Sequence, residues 1–204
     1  MAQTKVQLID GRTSPLVFPS GNGTNGQYLQ GNGAGTLSWA TVSTSNLTRL
    51  TSVALTSQTS VDFTSLPSGI RKLYLVLDGV KISSTGTLMI QLGDSGGLET
   101  SGYVSGSRLF YSSTASTYHE RSDSFVVYED TPDWYKNGVV EIINITGNRW
   151  VNAHTVYYSE RGAYPGVTSN GGGRKELSGE LTQLRFTLSA GNFTAGNVNL
   201  LYEV

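Results

Sequence analysis

The densest gathering of reactive side chains is Glu129-Asp130-Thr131-Pro132-Asp133-Trp134-Tyr135, which sets three carboxylates beside two aromatics. Paired carboxylates around an aromatic platform are what glycoside hydrolysis or sugar binding requires. The plainer reading is an acidic connector with Trp134 and Tyr135 packed beneath it. Hydrolysis would need Glu129, Asp130 and Asp133 at set separations, which neighbours in one loop do not guarantee. The two histidines, His119 and His154, stand 35 residues apart, and there is no cysteine. No thiolate site exists, and no metal is expected. Gly21-Asn22-Gly23-Thr24-Asn25-Gly26 matches the spacing of a dinucleotide-binding loop. That chemistry needs a strand before the loop and a helix after it, so that phosphate meets the helix N-terminus. Here Pro19-Ser20 precedes and more glycine follows, so a turn-rich segment and no cofactor are expected.

Gly93-Asp94-Ser95-Gly96-Gly97 resembles the nucleophile loop of chymotrypsin-like serine proteases. In that family the histidine and aspartate precede the serine. Both histidines here follow Ser95, and Leu98 stands where the family usually has proline. A strand-ending turn is the expectation, and the chain is not read as an enzyme. The N-x-[ST] triplets at Asn46, Asn144 and Asn192 reflect composition alone.

The elements that must position these residues are strands. The 204 residues include 25 Gly, 25 Ser and 23 Thr, while charged residues make only 14%, against about 25% in an ordinary soluble domain. These residue types favour turns over helices, and no long helical apolar period is present. Net charge is −1, which argues against nucleic-acid binding. Uncharged windows are polar, so no membrane insertion is expected. The opening MAQTKVQLIDGR lacks the apolar run of a secretory signal, so the mature chain is expected to begin near Met1.

Two regions are expected: a docking arm over 1–48 and a β-domain over 49–204. Between Thr13 and Thr48 there is no charged residue, and glycine stands at 21, 23, 26, 31, 33 and 35. Such a stretch buries too little apolar area to offset the entropy of ordering it. Its apolar beads, Leu16, Phe18, Leu37 and Trp39 among them, have no use in a plain linker. They suit docking, and three copies around an axis would bury them together.

Beyond residue 50, short alternating runs separated by turn residues give about nine strands. The strongest is 70–82, with Leu73, Leu75 and Leu77 on one face and Tyr74 and Val76 on the other. Both faces being apolar predicts a central strand covered on two sides, with a break or bulge at Asp78-Gly79. Gly147-Asn148 predicts a two-residue hairpin turn. The pattern predicts an all-β fold, an antiparallel, jelly-roll-like β-sandwich preceded by an extended glycine-rich arm. A parallel β-helix is the alternative, but no fixed-period repeat supports it.

The stretch GTNGQYLQGNGAGTLSWAT at 23–41 resembles a G-Q-x-L-x-x-x-G-x-G-x-L-x-W element near the N-termini of bacteriophage tail fibres and other virion appendages. Residues 61–103, with their IQLGDSGG-x-E-T-x-GY core, are similar to a β-rich domain of phage tail-fibre proteins, and FTAGNVNLLYEV fits its last strand. Residues 112–180 carry no matching signature. The resemblance implies a virion structural protein, usually a homotrimer, held to other virion proteins by its arm and facing the host. On that reading Asp133, Trp134, Tyr135 and Tyr164 contact a host surface glycan, with Tyr103 and Tyr118 as further stacking rings. The alternative is a capsid decoration protein, whose arm clamps the shell.

Overall fold

The computed structural model describes residues 16–42, 47–110, 117–130, 132, 134–159 and 167–204. It is all-β, with no helix among these residues, and it divides into two compact units, 1–45 and 46–204.

In the first unit, β1 (Gln27–Gly31) and β2 (Leu37–Thr41) form an antiparallel hairpin where an extended arm was expected. Glycine-rich sequence can do this because ladder bonds need only backbone. Asn32 closes the turn, its Oδ1 accepting from the N–H groups of Ala34 at 2.8 Å and Thr36 at 3.1 Å. Val17 bridges alongside β2 and exchanges backbone bonds with Gly35 and Leu37. Trp39 donates its Nε1–H to Gly21 O at 2.8 Å, and its ring lies where a Cβ on Gly23 would stand, 2.6 Å away. Phe18 and Trp39 nevertheless stay exposed, and Leu16 and Leu37 half-buried.

The second unit starts earlier than composition suggests. Residues 47–48, assigned above to the arm, belong to strand β3 (Leu47–Arg49) on the larger sheet of the body. The remaining strands are β4 (Val53–Ala54), β5 (Ser60–Phe63), β6 (Lys72–Ile82), β7 (Gly86–Asp94), β8 (Gly97–Leu98), β9 (Tyr103–Phe110) and β10 (Thr117–Arg121). They continue with β11 (Phe125–Asp130), β12 (Tyr135–Thr146), β13 (Arg149–Ser159), β14 (Val167–Glu176), β15 (Gln183–Leu188) and β16 (Phe193–Glu203). Nine strands form one antiparallel sheet in the order β10-β9-β14-β13-β12-β6-β16-β3, with β4 also on β16. The order β11-β7-β15-β5, with β8 on β7, makes a second, five-stranded antiparallel sheet.

The expected turn holds: β12 and β13 meet through Gly147-Asn148, with Gly147 at φ 52°. So does the bulge: Gly79 has φ 63°, and the register of β6 slips there against both neighbours. Gly79 N–H donates to Asn137 Oδ1 at 2.8 Å, which ties the bulge to β12.

Strand β6 is central, lying between β12 and β16, but it is covered on one side only. Leu73, Leu75 and Leu77 are buried, whereas Tyr74 and Val76 are half-buried on the opposite, solvent face. The core faces of both sheets contribute to one cluster, including Val140, Val156 and Leu200 from the larger sheet and Leu88, Ile90, Leu184 and Phe186 from the smaller. Phe186 stacks on Phe193 at 5.0 Å, and Tyr103 meets Phe125 edge-on at 5.0 Å.

Replacing Leu75 by Ala should therefore cost about 2–5 kcal/mol in urea denaturation, because its site cannot collapse fully. Val76→Ala, one residue away on the solvent face, should cost less than half of that. Equal losses would mean that the solvent face carries a cover of its own.

Candidate functional site

Four groups of residues compete as the working site. The first is the turn with the serine-protease spelling. It joins β7 to β8, as expected of a strand-ending turn, and Asp94 organises it. The Asp94 carboxylate accepts from the Ser178 hydroxyl and the Gly96 N–H, each at 2.7 Å. These donors, Ser178 first, hold the Asp94 carboxyl below its usual range. Glu99 beside it accepts from Lys175 and from both the N–H and the hydroxyl of Ser178. Burial pushes the Glu99 carboxyl up, but these bonds outweigh it and leave the group below its ordinary value. The cluster pins the β7–β8 turn to the segment after β14, while the Ser95 side chain is exposed.

The second group is a serine–histidine pair that spacing did not reveal. Ser107 on β9 and His154 on β13 both point to the core, with Oγ and Nε2 at 3.0 Å. The Ser107 hydroxyl has one proton, and it donates to Val127 O at 2.5 Å. His154 must then donate through Nε2–H, so it cannot accept the serine proton. Its Nδ1 is buried with no hydrogen-bond partner, and the two residues are only 1% and 5% exposed. Burial lowers the imidazole from 6.5 to about 4. The pair bridges the two sheets, as does Ser105, whose Oγ accepts from Val126 N–H at 2.9 Å.

Third is the acidic–aromatic segment. Trp134 is half-buried and meets Tyr158 edge-on at 6.1 Å, packing against the core as the plainer reading has it. Tyr135 begins β12, is exposed, and lies under Lys81 Nζ at 4.9 Å from the ring centroid. Asp133 and Tyr164 lie outside the described residues, as do the side chains of Glu129 and Asp130. Tyr103 is not the stacking ring anticipated. It is 3% exposed, and its hydroxyl accepts from Leu92 N–H at 2.7 Å. Burial first of all pushes that phenol far above its ordinary value.

The fourth is the solvent face of the nine-stranded sheet. Tyr118, Tyr135, Tyr157, Val104, Phe110 and Val139 are all exposed there. Alternation in β12 and β13 signals this face, but β14 escapes a reading by composition, since Asn170-Gly171-Gly172-Gly173 reads as loop. The glycines are needed by packing. A Cβ on Gly171 would stand 2.5 Å from His154 Cε1 and 2.4 Å from Gly106 O. Gly21–Gly26, the nucleotide-like spelling, leads into β1 rather than a helix. No family model, no curated protein and no solved structure matches this chain.

The buried imidazole makes stability depend on pH with a definite sign. Its folded value lies below its unfolded one, so its contribution is complete above pH 6.5 and falls away as pH drops towards about 4. Urea midpoints near neutrality and at about pH 5 should differ by roughly 2 kcal/mol from this group. His154→Gln should flatten that interval; an unchanged slope would show that the imidazole is not held neutral.

Proposed function

We propose that this chain is a structural protein of a bacteriophage particle, a trimeric tail-fibre-like appendage whose first unit docks to the virion and whose body meets a glycan on the host surface. We further propose that the two sheets form a jelly-roll-like sandwich; their shared apolar cluster and the bonds of Ser105 and Ser107 between them support this. The observation that carries the functional reading is the surface of the first unit. In a segment without a charged residue from 13 to 48, Val17, Phe18, Tyr28, Leu29 and Trp39 are each exposed. A small hairpin gains nothing by showing five large apolar side chains to water, whereas a docking or trimerising element needs them. Burying Leu16, Phe18, Leu37 and Trp39 between three chains would contribute about 25 cal/mol per Å². Tyr135, with Lys81 above its ring, offers a sugar both a stacking face and a donor.

A second reading keeps the docking unit and changes its berth: a capsid decoration protein that clamps the shell. The same exposed side chains favour it.

Deleting residues 1–45 tests both. The body should keep its melting temperature, change from three times 21.8 kDa to a monomer in light scattering, and leave the particle. Heads that then break on heating identify decoration; intact heads with failed adsorption identify a fibre. Bodies still trimeric and particle-bound would overturn the docking role. Tyr135→Ala should lower adsorption at least about tenfold without altering the trimer.

A further inference from the structure

The glycines of β9 and β14 meet on the solvent face. Cross-strand register runs in one line through Glu120, Gly106, Gly172, Ala153, Glu141 and Tyr74, perpendicular to β10, β9, β14, β13, β12 and β6. Three consecutive members have no side chain beyond a methyl group, so the line is a trough. One wall carries Arg108, Asn170 and Thr155; the other carries Val104, Arg174 and Val151. A depression of about 710 Å³ occupies the β10–β13 end, and another of about 470 Å³ continues it over Ala153 to Glu141 and Tyr74.

Tyr118 is built into the first depression. A Cβ on Gly106 would stand 2.7 Å from its hydroxyl, so the ring lies over the glycine. The hydroxyl donates to Glu120 Oε1 at 2.5 Å, and the Arg108 guanidinium sits 5.7 Å from the ring centroid. Neither Arg108 nor Arg174 has a carboxylate partner among the described residues, although the chain has few charges and pairs Arg121, Arg149 and Arg185. The two arginines stand on opposite walls, diagonally across the Gly106–Gly172 pair. Their Cα atoms are roughly 14 Å apart from strand geometry.

The occupant is constrained by what this surface offers. Backbone ladders run on both sides of β9, β14 and β13, so no peptide strand can add there. Only two arginines, spaced so widely and with Glu120 and Glu141 in the same line, do not make the continuous basic track that a nucleic acid needs. Valine methyls, a tyrosine ring, an amide and a hydroxyl, with isolated positive charges, fit a chain of apolar ring faces, many hydroxyls and spaced carboxylates. We infer that the trough binds a linear acidic polysaccharide, its uronate carboxylates held bidentately by Arg108 and Arg174 from opposite walls and a sugar ring against Tyr118. This site is separate from Tyr135 and rests on the reading of the body as a glycan-contacting module.

Full-length protein is titrated with polygalacturonate, alginate and hyaluronate, with carboxyl-reduced polygalacturonate and single-stranded poly(dT) alongside. Saturable binding to at least one polyuronate is expected, lost on carboxyl reduction. Arg108→Gln and Arg174→Gln should each weaken it about tenfold or more, and Ala153→Trp, an exposed position in the trough floor, should abolish it. Arg185→Gln, the same loss of charge on the other sheet, should leave it unchanged. Melting curves of the variants should match the parent. The proposal falls if none of the three polyuronates binds, if the arginine variants bind as the parent does, if poly(dT) binds as tightly, or if the face instead self-associates and Ala153→Trp abolishes that. Particle attachment through residues 1–45 is read separately, so loss of polyuronate binding with attachment intact rejects this trough and not the appendage.

Discussion

The body depends on burial of one face of a nine-stranded sheet. A strand exposes alternate residues to opposite sides, and β6 shows the consequence in its own length: Leu73, Leu75 and Leu77 are sealed while Tyr74 and Val76 keep contact with water. At about 25 cal/mol per Å² the sealed leucines and their counterparts on β7 and β15 dominate the energy of the unit. The few charged residues are then disposed around that seam. Asp94, Glu99 and Lys175 tie a turn at its edge, and Arg185 pairs with Asp62 on the smaller sheet.

Within the seam the chain tolerates polar groups where they join the sheets. Ser105, Ser107 and Tyr103 each bond backbone on the smaller sheet, so their hydroxyls are compensated for lost water. His154 is the costly member, neutral and with Nδ1 unpartnered. Its ring requires Gly171 beside it on the core face, where a Cβ would stand 2.5 Å from His154 Cε1.

Much of this was legible from residue order. Period-two alternation located β6, β7, β12, β13, β15 and β16, and Gly147-Asn148 and Asp78-Gly79 carried their turn and bulge openly. Three features were not. The arm hairpin and β14 are glycine-rich, and backbone ladders leave no side-chain signature. The boundary at β3 depends on a partner, β16, some 150 residues away. The Ser107–His154 contact spans 47 residues and no spacing rule anticipates it. Of the site residues, Tyr135 is exposed as read, whereas Trp134 serves packing and Tyr103 is interior.

Composition and periodicity alone determine that this chain is built of antiparallel strands with little charge, because both act locally: each residue's propensity and the side to which it points are set by its neighbours in sequence. Which face of each strand meets water is another matter. The leucine and the valine–tyrosine faces of β6 look equally apolar in the sequence, and only the smaller sheet, settling on one of them, makes the other a surface. The line from Glu120 to Tyr74 exists for the same reason, since six strands must be laid side by side in register before three small residues become a trough.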